Sequence, residues 1–273
     1  MTDTTDRVRA HYDGPGLVDR IKAALSAIGP EDQPLTVPQL AMLDQFHTRG
    51  ILATAELAGA AGLQAADKVL DLGCGIGGPA RYLASMFGCH VTGVDLSSSF
   101  VEAAEYLTAR CGLADRVTFN VGDALHLPCD DGAFDTVFLQ HVAMNIADRP
   151  ALYAEARRVL KLGGGFATYD LVLKDGEVIY PAPWARDPST SFLLTADDTR
   201  KALEAAGFSV TLWRDDTQAA IDWFNAVAAN PPPSGGLNLG VVMGAEFPSI
   251  TGNLGRNIRD GRLGVLLAIL TRA

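Results

Sequence analysis

Basic charge is in short supply in this sequence. Its 22 Lys and Arg residues face 32 Asp and Glu, a formal charge of −10 with an isoelectric point near 4.9. Such a balance repels phosphate backbones and anionic lipid unless basic side chains cluster locally. Arg256, Arg259 and Arg262 come closest to a cluster, and Asp260 interrupts them. Cysteine is scarce as well. Cys74, Cys89, Cys111 and Cys129 are spaced too widely for C-x-x-C, so neither a disulfide nor a zinc site is expected. Long apolar runs are missing: Met1 to Ala10 is polar with no signal core, and Val265 to Leu270 is far too short to span a bilayer. Nucleic acid and membrane are therefore not expected partners, and the cytoplasm is the expected location.

What is present is a chain of 273 residues, 48% hydrophobic and 20% charged, long enough to bury a large core as one elaborated domain or a domain with a cap. Its most informative stretch is Val69-Leu70-Asp71-Leu72-Gly73-Cys74-Gly75-Ile76-Gly77-Gly78-Pro79-Ala80. An apolar strand runs here into a glycine-rich turn and a helix, the arrangement that holds a nucleotide-like cofactor at a helix N-terminus. Glycines at 73, 75 and 78 also fit the dinucleotide pattern G-x-G-x-x-G, so spacing alone leaves NAD or FAD open. Asp71 discriminates on charge. A carboxylate beside this cleft would face pyrophosphate oxygens in a dinucleotide site, whereas beside S-adenosylmethionine it lies near an ammonium and a sulfonium.

Further along, apolar and β-branched runs alternate with helical patterns. Strands are expected at His90–Asp95, Val117–Val121, Phe134–Gln140, Phe166–Asp170 and Phe208–Arg214, with helices over 79–87, 100–110, 149–160 and 195–206. That alternation predicts a doubly wound α/β sheet. Asp95 closes the second strand 20 residues after Gly75, where an acid accepts bonds from ribose hydroxyls. Gly122-Asp123-Ala124 follows the third strand, and a carboxylate there can accept from an adenine amino group. An acid thus stands in or after each of three successive strands.

With these residues the chain resembles the class I S-adenosylmethionine-dependent methyltransferases over residues 68–214. Asp71 to Gly77 matches that family's first motif, Asp95 its ribose acid, Gly122 to Ala124 its adenine motif, and Arg158 to Gly164 the segment before its fifth strand. The resemblance implies a Rossmann-like sheet of seven strands with an antiparallel last strand, which Leu263–Leu270 would supply. It implies S-adenosyl-L-methionine as cofactor, held by Asp71, Gly73, Gly75, Gly77, Asp95, Leu96, Asp123, Ala124 and Gln140. Asp44 to Gly50, Gln140 to Ile146 and Pro181 to Ala185 look like the bacterial small-molecule branch, which includes sarcosine/dimethylglycine N-methyltransferases and quinone-biosynthesis methyltransferases.

A small-molecule acceptor is therefore expected, methylated at N, O or C. Many oxygen-methylating relatives carry a histidine near Asn145. Asn145 cannot serve as a general base, so that role passes to His141, His47 or Asp170, or is not needed. Magnesium is not expected, because the ends of the fourth and fifth strands offer Gln140, His141 and a single acid, Asp170. Residues 1–64 and 216–262 fall outside the alternation and are expected to form helical caps around a core of 65–215 completed by 263–273. Within or near them Trp184, Phe192, Trp223, Phe224, Met243 and Phe247 are candidate acceptor contacts, and Asn253 and Asn257 share a helix face that can bind a polar acceptor. The runner-up readings are an NAD(P)-dependent oxidoreductase and a non-catalytic S-adenosylmethionine-binding protein.

Overall fold

Adjacent residues of each strand point to opposite faces of a sheet, and the side chains here sort accordingly into two cores. Val69, Phe138, Ala167, Val265 and Leu267 go to one, while their neighbours Leu70, Val137, Leu139, Phe166, Leu266 and Ala268 go to the other. Both faces are thus apolar, which is why these strands read as continuous hydrophobic runs. The computed structural model describes residues 2–230 and 236–273.

In chain order the helices are α1 (Thr2–Tyr12), α2 (Leu17–Ser26), α3 (Val37–Asp44), α4 (Ile51–Ala61), α5 (Gly78–Phe87), α6 (Ser98–Arg110), α7 (Arg149–Val159), α8 (Ala196–Ala205), α9 (Thr217–Ala229), α10 (Gly240–Met243) and α11 (Phe247–Arg259). The strands are β1 (Lys68–Leu72), β2 (His90–Asp95), β3 (Val117–Val121), β4 (Phe134–Gln140), β5 (Leu160–Leu173), β6 (Phe208–Asp215) and β7 (Leu263–Arg272). They form one seven-stranded sheet in the order β3-β2-β1-β4-β5-β7-β6, with β7 antiparallel to both neighbours. The doubly wound α/β architecture and its antiparallel last strand are as expected. Local signals hold too: Ser97 caps α6 through Phe100 N–H, Asp148 caps α7 through Ala151 N–H, and Pro79 lies in the first turn of α5.

The fifth strand differs from expectation. It begins at Leu160 rather than Phe166, so Gly163-Gly164-Gly165 lies within the strand instead of separating it from α7. Pairing with β4 jumps from Phe134↔Leu160 to Thr136↔Gly165. Glycines that read as a helix stop are here the site of an irregular register, a use of glycine that composition alone does not distinguish.

The N-terminal 64 residues divide in two. Ala53, Leu57 and Ala58 of α4 belong to the main core beside Val69 and Leu83. By contrast, Leu17 and Ile21 of α2, Leu40 and Leu43 of α3 and Val242 of α10 form a separate cluster with Phe100 and Leu107 of α6. The amino-terminal helices and the insertion after β6 therefore meet each other. Pro231-Pro232-Pro233-Ser234-Gly235, within the expected second cap, lies outside the described residues.

One buried ion pair ties this cluster to the sheet. Arg81 in α5 is fully buried and donates to Asp44 Oδ2 at 2.9 Å, Ile76 O at 2.8 Å, Thr108 Oγ1 at 3.0 Å and Ala104 O at 3.3 Å. It therefore joins the end of α3, the glycine turn and α6. The approach is close enough that a Cβ on Gly78 would lie 2.1 Å from Asp44 O, which only glycine avoids. Removing one member of a buried pair leaves an uncompensated charge, so Asp44→Ala is expected to lower the unfolding free energy by about 3–5 kcal/mol in urea titration. A loss under about 1 kcal/mol, the level of an exposed pair, would show that the contact does not anchor the amino-terminal helices.

Candidate active site

Parallel strands deliver their carboxyl ends to one edge of the sheet, and open α/β folds bind ligands there. A cavity of about 280 Å³ lies at that edge, and each strand from β1 to β4, or the turn that follows it, sends residues to its wall. From the turn after β1 come Gly73 and Gly75; from the end of β2, Asp95 and Leu96; after β3, Asp123 and Ala124; after β4, Gln140, His141 and Val142. Of the residues expected to hold the cofactor, seven thus share one wall. Gly73 has φ +75°, and a Cβ there would lie 2.3 Å from a methyl of Val142. The cradle therefore exists only because residue 73 has no side chain.

Asp95 shapes the turn as well as lining the cavity. Its Oδ2 accepts from Gly75 N–H at 2.8 Å and its Oδ1 from Ser97 N–H at 2.9 Å. Burial pushes its carboxyl up to about 6 despite these bonds, with Asp13 adding repulsion. Asp123 Oδ1 accepts from Leu125 N–H at 2.9 Å. Asp71 and Gly77 do not line the cavity. Asp71 is buried behind the turn, Oδ2 has no partner, and burial followed by repulsion from Asp95 raises it to about 7. It acts on the site through its field rather than by contact. Gly77 is the N-cap residue before α5 and packs where a Cβ would lie 2.6 Å from Phe119.

The three candidate bases fall at different depths. His141 lines the cavity, stacks on Tyr169 with centroids 5.6 Å apart, and has Nε2 3.4 Å from Thr48 Oγ1. Burial, and then proximity to His47, holds its pKa well below the ordinary imidazole value, so the ring is neutral. His47 stands behind it, with Nε2 3.0 Å from both Gly50 O and Thr54 Oγ1, and burial lowers it to about 4. Asp170 is committed to backbone: Oδ2 accepts from Ala143 N–H and Oδ1 from Leu171 N–H. Only His141 among the three reaches the cavity wall.

At the far end Asn145, Trp184, Met243 and Leu254 join the wall. Asn145 Oδ1 accepts from Tyr12 Oη at 2.8 Å, and Nδ2 donates to Trp184 O at 2.8 Å and Thr190 O at 3.4 Å. It braces the wall. Asn253 and Asn257, expected to meet a polar acceptor, do not line the cavity and are corrected to loop anchors. Asn253 Nδ2 donates to Pro181 O at 2.9 Å, while Asn257 pairs with Ile179 N–H and O at 2.8 and 2.9 Å. The two share a face as expected, and that face holds the segment carrying Trp184. Phe192, Trp223, Phe224 and Phe247 likewise lie off the wall.

Sequence reasoning gave α1 little weight, yet Thr4, Thr5, Val8 and Tyr12 line the cavity. Besides the Tyr12 bond, His11 Nε2 lies 3.0 Å from Pro183 O and Arg7 bonds Ser189. Burial raises the Tyr12 phenol, so its hydroxyl keeps its proton. The missed signal was Val8, the one apolar side chain between Met1 and Ala10.

Residues 70–168 match a family model described as a methyltransferase domain. Sterol 24-C-methyltransferase ERG6 of Saccharomyces cerevisiae is 32% identical over 179 residues, 62% of this chain and 46% of that protein. Methyltransferase GfsG of Streptomyces halstedii is 36% identical over 137 residues, 50% of this chain and 49% of that one. The chain thus spans about half the length of these relatives. Among solved structures, geranyl diphosphate C-methyltransferase of Streptomyces coelicolor A3(2) superposes with TM-score 0.70 at 20% identity, covering 99% of this chain and 98% of that one. The [4+2]-cyclase SpnF superposes with TM-score 0.64 at 23% identity, over 81% of this chain and 80% of its own. These two likenesses establish the fold.

Residues 70–168 are thus a methyltransferase domain, and the acid-tipped strands and glycine cradle are the features through which the sequence resembles the class I S-adenosylmethionine-dependent enzymes. The dinucleotide alternative is thereby set aside.

Two outcomes are expected. Affinity for S-adenosylmethionine should fall about tenfold per pH unit below about 6, where Asp95 takes up a proton and its carboxylate is lost to the ligand. Asp95→Asn should flatten that profile in calorimetry, and an unaltered profile would remove Asp95 from the site. Second, α1 contributes Val8 alone to the described core, so its amides should exchange within the fast class without ligand and slow when S-adenosylhomocysteine binds. Equal protection in both states would make α1 a fixed wall.

Proposed function

We propose that this chain transfers a methyl group from S-adenosylmethionine to a small, largely apolar acceptor without a metal ion. The observation that carries the reading is the continuity of one cavity, which runs from the acid-lined glycine cradle to a wall of Val8, Met144, Leu171, Trp184, Met243 and Leu254. The residues present fit the cofactor. A cradle that any Cβ at position 73 would fill, and two strand-end carboxylates on the wall, suit a ligand with a ribose, an adenine and net positive charge. When bound, the cofactor supplies an electrophilic methyl group on a sulfonium, whose bonding electrons return to sulfur as an acceptor attacks.

The protein's task is then alignment and exclusion of water. The Asp95 carboxylate holds the turn through Gly75 and Ser97 and leaves its remaining lone pairs to ribose hydroxyls. Tyr12 and Asn145 close the arm over the acceptor end. His141, neutral and on the wall, is the group placed to take a proton from an acceptor, and its low basicity suits an acceptor that gives one up easily or loses it after transfer. His47 and Asp170 act as positioning residues behind it. Metal independence is supported by the strand ends: among the described residues no three His, Cys, Asp or Glu side chains gather in a way that holds an ion. An apolar acceptor is also supported by the name of one relative, which acts on sterols.

The domain division proposed is a core of 65–215 and 263–273 with caps from 1–64 and 216–262, of which α4 packs as part of the core. No described helix is long and apolar enough to cross a membrane. The test is transfer of labelled methyl from S-adenosylmethionine to a pool of small lipophilic metabolites. Label should enter the pool at the same rate with and without EDTA. Loss on chelation with recovery on added magnesium overturns the metal-free reading, and cofactor binding with no transfer to any acceptor favours a non-catalytic protein.

A further inference from the structure

The acceptor end of the cavity has an electrostatic character that narrows the substrate. Among the described residues no Lys or Arg lines the wall, whereas Asp95, Asp123 and Asp148 do, and the one imidazole on it, His141, is neutral. The buried guanidinium groups nearby are spent elsewhere. Arg149 donates from Nε to Ile146 O, and from its terminal nitrogens to Tyr153 Oη and Phe192 O. Arg49 pairs with Glu56 and Asp216.

Backbone amides, the other source of anion binding, are also taken. The turn that carries Met144 and Asn145 begins with Ala143 N–H, bonded to Asp170 Oδ2 at 2.9 Å. At the start of α7, Ala151 N–H is bonded to Asp148 Oδ1 at 3.0 Å. At both of these turns the position that could receive an anion is thus filled by a carboxylate of the chain itself. Of the polar side chains at this end, Tyr12 donates to Asn145, and Asn145 donates to Trp184 O and Thr190 O.

We infer that the acceptor is an uncharged hydrophobic molecule, and that the same carbon skeleton carrying a carboxylate, phosphate or diphosphate is refused. This rests on the methyltransferase reading and deepens it. An anion entering this end would lose its water, meet no cation, and lie in the field of Asp148 on the wall and of Asp95 and Asp123 at the cradle. A neutral acceptor exchanges water for apolar walls and meets none of these costs.

The experiment uses the full chain saturated with S-adenosylhomocysteine and three probes of equal chain length: 1-decanol, decanoate and decyl phosphate. Binding is read by calorimetry and by Trp fluorescence. Decanol is expected to bind at least tenfold more tightly than either anion. In Met243→Lys, which places a cation on a half-buried part of the wall, the gap is expected to narrow severalfold through tighter decanoate binding. Decyl phosphate or decanoate binding as tightly as decanol to the unaltered protein, or decanol failing to bind at all, overturns the inference. Failure of S-adenosylhomocysteine to bind overturns the cofactor assignment instead, so the two readings fail separately.

Discussion

Arg81 is a cation with almost no water around it, and the site is arranged about that fact. Burying a guanidinium this deep is costly unless it is paired and hydrogen-bonded, and here its two terminal nitrogens find four partners, the carboxylate ending α3, the carbonyl of Ile76 in the glycine turn, and a carbonyl and a hydroxyl of α6, while Nε has none. Meeting that requirement fixes the turn after β1 relative to the helix after β2. The cradle formed by Gly73 and Gly75 and the acid at Asp95 are the two sides of the same arrangement, joined by the bond from Gly75 N–H to Asp95 Oδ2. Cofactor geometry in this protein is thus a by-product of solving a burial problem.

The two ends of the cavity follow different physics. At the strand ends, carboxylates are held by backbone amides and pushed up by burial, Asp95 to about 6 and Asp71 to about 7. That environment gains when a positive ligand arrives, because opposite charge returns both acids to their ionised form. At the other end the lining is largely apolar and carries no cation among the described residues, so it discriminates by shape and by the absence of positive charge partners. Selectivity of the second kind arises from what a wrong ligand loses on entry rather than from contacts offered to the right one.

Most of the sheet was legible in the sequence because period, punctuation and strand composition agree there. Asp71 to Ala80, Asp95 and Asp123 were readable since each stands at a fixed offset from a strand end, and local chain geometry dictates what such a residue faces. Legibility ended where geometry is set by contacts distant along the chain. Asn253 and Asn257 were correctly placed on one helix face, but which surface that face meets is decided by the 179–181 segment some 75 residues away. Likewise Tyr12 meets Asn145 across 133 positions, and no periodicity in an 11-residue polar helix announces that encounter. The glycines at 163–165 failed for another reason: the same residues serve a helix stop and a strand irregularity equally well.

The position of β7 has a consequence for how such a chain is made. Since it lies between β5 and β6, β6 has no sheet partner until Leu263–Arg272 has been synthesised. Until then a nascent chain carries two unpaired strand edges flanked by apolar side chains, the condition that invites pairing with another molecule. Closure of the sheet is in this sense held open until β7 has emerged, and loss of β7 would leave β5 and β6 as separate adhesive edges rather than a slightly smaller sheet.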